Sequence, residues 1–135
     1  MRRRPVVLIV EDDDDIGELL IQLVRSEGEY VAQRVATMAA ALRSALASTP
    51  DVILLDIALP DACGTEGLDC LTSVCPAVPV IMLTANSDER LARETLKRGA
   101  FDYIRKPFDA EHLARVLEAA IGGAGLSAAA EDAKA

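Results

Sequence analysis

Short, almost wholly apolar runs rich in Val, Ile and Leu recur along this chain, and each is followed by a stretch in which apolar residues return at helical spacing. The runs are Val6 to Val10, Tyr30 to Val35, Val52 to Leu55, Val78 to Leu83 and Phe101 to Ile104. Runs this short and this free of polar interruption predict strands buried on both faces, as in a parallel sheet. Between them Ile16, Leu19, Leu20, Leu23 and Val24 mark one apolar stripe with i, i+3, i+4, i+7, i+8 spacing, and Met38, Ala41, Leu42, Ala45 and Leu46 mark another.

A fourth helix is predicted over Leu91, Ala92, Thr95 and Leu96, with Ser87 as its N-cap and Gly99 as its stop. A fifth carries Leu113, Val116, Leu117, Ala120 and Ile121 behind the cap Asp109. The third, after Gly64, has a thinner stripe of Leu68, Leu71 and Cys75, and Gly67 inside it costs about 1 kcal/mol relative to Ala. Five strand-then-helix units in strict alternation predict an α/β fold of (βα)5 type, a doubly wound parallel five-stranded sheet in the order 2-1-3-4-5, flavodoxin-like. Gly122-Gly123-Ala124-Gly125 is expected to end the pattern, leaving 1–121 as one domain. Residues 122–135 form a Gly/Ala-rich tail or the start of a linker, too short for an output domain of their own.

With 135 residues, 51% of them apolar, one domain can bury a single substantial core. A formal charge of −8 gives counterion release the wrong sign for direct binding to nucleic acid or an anionic membrane. Cys63, Cys70 and Cys75 are odd in number and lack C-x-x-C spacing, so they read as reduced thiols. The arginines before Val6 are followed by too short an apolar run, and then by acids, to make a secretory leader. A cytoplasmic chain is expected.

In open α/β sheets the functional crevice lies beyond the carboxyl ends of the strands where strand order reverses, here between strands one and three. Those ends carry Glu11, Asp12 and Asp56. Three carboxylates converging on one crevice repel each other and call for protons or a cation, and Mg²⁺, which keeps waters and binds phosphate, answers that need. Strand four ends at Thr84, a hydroxyl donor, and strand five runs into Lys106-Pro107, an ammonium donor. A carboxylate nucleophile, a metal, and hydrogen-bonding and cationic contacts are what phosphoryl transfer to a carboxylate requires.

The segments Leu8-Ile9-Val10-Glu11-Asp12, Asp51 through Pro60, Ile81-Met82-Leu83-Thr84-Ala85 and Tyr103 through Phe108 resemble the receiver domains of bacterial response regulators, over roughly residues 5 to 121. The resemblance implies the same strand order. It implies Asp56 as the phosphoacceptor, Asp12 as a direct Mg²⁺ ligand, Glu11 acting through metal-bound water, and the Ala58 carbonyl as a further ligand. Thr84 and Lys106 would contact the phosphoryl group, and Tyr103 would turn inward with Thr84 to remodel the face of helix four, strand five and helix five. A cis Lys106-Pro107 bond is implied too. So are a sensor histidine kinase or histidine phosphotransfer protein as donor, an output partner, and a homodimer through the switching face. Ala58 and Asn86 match positions that tune phosphoryl lifetime.

Taken singly, these residues have blander readings. Asp14 and Asp15 suit a helix start, Asp13 suits either a helix cap or the rim of the site, Tyr103 suits an ordinary strand, and His112, the one histidine, carries no role. One rival is a haloacid-dehalogenase-like phosphohydrolase with Asp12 as nucleophile, echoed in Asp12-x-Asp14, Thr84 and Lys106, but it leaves Asp56 unemployed. An EF-hand fails at Ile16 and Leu23. A flavin site would set acids against a cofactor phosphate.

Overall fold

A computed structural model describes residues 4–85 and 89–134. The strands of the main sheet are β1 (Val6–Val10), β2 (Val31–Val35), β3 (Val52–Asp56), β4 (Val80–Thr84) and β5 (Asp102–Arg105). The helices are α1 (Asp14–Ser26), α2 (Met38–Ala47), α3 (Glu66–Val74), α4 (Glu89–Lys97) and α5 (Ala110–Lys134). All five strands are parallel, in the order β2-β1-β3-β4-β5, so the predicted 2-1-3-4-5 sheet is the observed one.

The apolar runs alternate between two helical layers. Val7, Ile9, Val52, Leu54, Ile81 and Leu83 pack with Leu20 and Val24 of α1 and with Leu113 and Leu117 of α5. Leu8, Val10, Ile53, Leu55, Val80 and Met82 pack with Met38, Ala41 and Ala45 of α2 and with Leu68 and Leu71 of α3. Every residue of the two central strands β3 and β4 is buried. Each apolar side chain so placed contributes about 1.5–3 kcal/mol relative to exposure.

Helix starts follow the acids and hydroxyls. Asp13 Oδ1 accepts from Ile16 N at 3.0 Å, Thr37 Oγ1 from Ala40 N at 3.1 Å, and Asp109 Oδ1 from Glu111 N at 3.0 Å. Ser87 and Asn86 lie outside the described residues. Gly99 ends α4 with φ +106, a conformation closed to most side chains.

Three local expectations are corrected. The last helix runs on to Lys134 instead of stopping at Gly122, because the alanine-rich segment that follows has the highest helix propensity of any residue type. Strand five starts at Asp102, leaving Phe101 45% exposed at the sheet edge rather than in the core. Gly67 is more than a weak point in α3: a Cβ there would lie 2.8 Å from Met38 Cε and 3.3 Å from Leu55 Cδ2, so glycine lets α3 approach α2 and the sheet.

Candidate functional site

Register alone brings the polar strand ends together. Val10 pairs with Leu55, so the next residues, Glu11 and Asp56, leave their strands side by side. Asp56 in turn pairs with Leu83, and Thr84 with Arg105, which sets Lys106 beside the same edge. Glu11, Asp56 and Thr84 are buried, at 1%, 4% and 1% exposure, while Asp12 is exposed.

The loop after Asp56 is held in a small antiparallel ribbon, Ala58–Leu59 against Ala62–Cys63, closed by Gly64 at φ +67. Ala58 N donates to Asp56 Oδ1 at 3.0 Å, which fixes the carboxylate against its own loop. Asp61 leaves the ribbon to accept from Met38 N at 2.9 Å and Ala39 N at 3.2 Å, anchoring the loop to the start of α2. Those backbone bonds outweigh burial and lower its pKa.

Carboxylate oxygens of Glu11, Asp12 and Asp56 all lie within 4.8 Å of one another. The Lys106 ammonium sits 3.0 Å from Glu11 Oε1 and 3.5 Å from Asp56 Oδ1; Lys106 directly follows β5, and the Lys106–Pro107 peptide that leaves it is cis. The contact with Glu11 is an ion pair without hydrogen-bond direction, and among the described residues the buried Glu11 Oε1 and Thr84 Oγ1 find no directed hydrogen-bond partner. Glu11 Oε2 accepts from Asp13 N at 3.2 Å. Hard oxygen donors at this spacing, two of them buried beside one lysine, fit a small divalent cation such as Mg²⁺.

Burial, and then the Asp56 carboxylate, push Glu11 from 4.5 up to about 7, against the pull of Lys106. Lys106 is lowered by burial, but Glu11 and Asp56 outweigh that and its pKa rises. The native state therefore holds the Glu11 proton more tightly than the unfolded chain does. That contribution is complete below pH 4.5 and is lost as pH climbs through 7. The metal-free chain is expected to lose on the order of 2 kcal/mol of stability across that window. Urea denaturation in EDTA checks it, and Mg²⁺ should flatten the slope; a flat profile without metal contradicts the expectation.

Comparison with known proteins bears on this geometry. Residues 7–118 match the response regulator receiver domain model. The chain belongs to the response regulator receiver domain family. It is 37% identical over 117 residues to the nitrogen assimilation regulatory protein NtrX of Azorhizobium caulinodans, covering 85% of this chain and 26% of that protein. The solved receiver domain of NtrX from Brucella abortus superposes with a TM-score of 0.82 at 30% identity, covering 86% of this chain and 98% of that one. The receiver domain of the sensor histidine kinase PA1611 from Pseudomonas aeruginosa, solved with a magnesium ion coordinated in its active-site cleft, gives 0.79 at 34% identity, covering 89% and 99%. The chain thus spans about a quarter of the length of the Azorhizobium relative.

As a receiver domain the chain fits phosphoacceptor signalling, and the phosphohydrolase alternative is set aside. The family match does not support it, and Asp12, its nucleophile, is solvent-exposed while Asp56 is buried beside a lysine. No helix among the described residues is long and apolar enough to cross a membrane. Tyr103 lies half-buried against the α2–α3 layer, next to Arg105, whose charge is held first by Tyr103 and then by Glu89.

Sequence reading missed two supports. Neither Asp61, which anchors the loop to α2, nor Arg34, which donates to the Glu11 carbonyl, belongs to the motifs that mark the site. The available signal for Arg34 is that it is the one charged residue in the strand Val31–Val35.

Proposed function

We propose that Asp56 accepts a phosphoryl group from the phosphohistidine of a sensor histidine kinase or histidine phosphotransfer protein. The P–N bond breaks, a P–O bond forms to the Asp56 carboxylate, and the histidine keeps the nitrogen electron pair and takes up a proton. The observation that carries this reading is the buried Asp56 held between Ala58 N and Lys106 Nζ in a cluster of three carboxylates.

Asp12, Asp56 and the Ala58 carbonyl would hold Mg²⁺, with Glu11 acting through its water. The ion supplies positive charge for the phosphoryl oxygens and relieves repulsion among the acids. Lys106 would contact a phosphoryl oxygen, and the unpartnered Thr84 hydroxyl would donate to another. Drawing Thr84 toward the phosphoryl group opens space into which Tyr103 turns, shifting the population of the α4–β5–α5 face between two arrangements. That face controls an output partner and is the surface for a homodimer.

The chain acts as a signalling phosphoacceptor, catalysing only its own phosphoryl transfer and dephosphorylation. It works in the cytoplasm without direct contact with nucleic acid or membrane, with 1–121 as the receiver unit and 122–135 as a tail or linker start. Treatment with acetyl phosphate and Mg²⁺ followed by peptide-level mass mapping tests the assignment. The label is expected on the peptide containing Asp56; label on the Asp12 peptide, or on none, refutes it.

A further inference from the structure

We infer that Arg34 is a positioning residue for the acidic turn, its forked guanidinium fixing the Glu11–Asp12 peptide so that the carboxylates on either side are aimed at a divalent cation. The inference rests on the proposed reading of that turn as a Mg²⁺ site.

Arg34 reaches from β2 across the start of α1. Its Nε and Nη2 both donate to the Glu11 carbonyl, at 3.0 and 2.8 Å, and its Nη1 pairs with Asp14 Oδ1 at 3.0 Å. The Arg34 side chain is 19% exposed, whereas that of Asp14 is 93% exposed, so the fork on the carbonyl is the sheltered part of the contact. On the other side of the same residue, Glu11 N donates to Val35 O at 3.1 Å. Because a peptide unit is planar, fixing the Glu11 carbonyl also fixes the Asp12 nitrogen and Cα. Both sides of Glu11 and the root of Asp12 are thereby held from one strand.

Helix α1 is cut to admit this side chain. A Cβ at Gly17 would fall within 2.7 Å of three Arg34 atoms, Nε, Cδ and Cζ. Glycine inside a helix is costly relative to alanine, and here it leaves the slot in which the guanidinium lies.

Charge and position predict opposite results, which makes the inference testable. If Arg34 acted only through its charge, removing it would tighten Mg²⁺ binding, because a cation near a cation site is repulsive. As a positioning residue, its loss weakens binding, as loss of groups that orient metal ligands does, by roughly tenfold.

The experiment is calorimetric Mg²⁺ titration of the whole chain, well below its unfolding midpoint, with unfolding of each variant followed in EDTA. Arg34→Ala, Arg34→Lys, which keeps the charge without the fork, and Gly17→Ala, which displaces the arginine while favouring the helix, are each expected to weaken Kd roughly tenfold. Kd unchanged or tighter in folded Arg34→Ala or Arg34→Lys overturns the inference while leaving the Mg²⁺ reading intact. A folded wild-type chain that binds no Mg²⁺ at millimolar concentration overturns both.

Discussion

Asp56→Asn is expected to bring acetyl phosphate labelling below detection, a fall of roughly 10²-fold or more, with the fold retained. The substitution keeps size and leaves an oxygen to accept from Ala58 N, the bond that ties residue 56 to its loop at 3.0 Å. It removes the proposed nucleophile, one of the three acids that lie within 4.8 Å of each other. Because Asp56 is the largest contributor after burial to the raised Glu11 value, the variant should also lower the Glu11 pKa. The stability slope of the metal-free chain between pH 4.5 and about 7 becomes shallower as a result. Two measurements therefore check one substitution: mass mapping of the labelled peptide, and urea midpoints in EDTA across pH. Labelling that persists at the wild-type level would remove Asp56 from the chemistry.

Most of the fold was legible because its signals are local. The apolar runs of β3 and β4 could not be anything but buried, and the stripes on α1, α2 and α5 fix which side each helix turns inward, although Leu19 and Leu46 of those stripes stay exposed, at 45% and 72%. Strand order was legible only through alternation, handedness and family resemblance. The misread ends have local causes. Phe101 is a good strand former by type, yet β5 starts one residue later, at Asp102, after Phe101 N has bonded to Val80 O. Gly122 and Gly123 look like a stop, yet the alanines behind them favour helix.

The site was legible for a different reason. Its acids stand at strand ends, and parallel register delivers strand ends to one edge without further information. What stayed hidden depends on side chains crossing between elements. Arg34 reaches from β2 to a carbonyl after β1, over 23 residues of sequence, and Asp61 reaches from the ribbon to α2. Neither has a spacing pattern, since backbone carbonyls and amides are present at every residue. Gly17 and Gly67 could be seen as anomalies in helical stripes, but the neighbours that explain them come from distant parts of the chain.

Lys106→Met should separate the two tasks proposed for one ammonium, neutralising the acids and contacting the phosphoryl group. Met matches the length of the lysine stem and removes the charge that lies 3.0 Å from Glu11 and 3.5 Å from Asp56. Without metal at pH 8, two buried carboxylates then face each other unpaired, and losing one partner of such a group costs roughly 3 kcal/mol. At pH 5 the loss should be much smaller, because Glu11, raised to about 7, already holds its proton there and leaves no second charge facing Asp56. Mg²⁺ should restore most of the stability at pH 8, since a divalent ion answers the same repulsion. It should not restore labelling, expected to stay roughly 10²-fold slow, if the ammonium makes the proposed contact with a phosphoryl oxygen. Urea midpoints at the two pH values, with and without Mg²⁺, and initial labelling rates with Mg²⁺ decide the matter. If Mg²⁺ rescues both quantities together, Lys106 serves only to neutralise the acids, and its direct contact with the phosphoryl group is wrong.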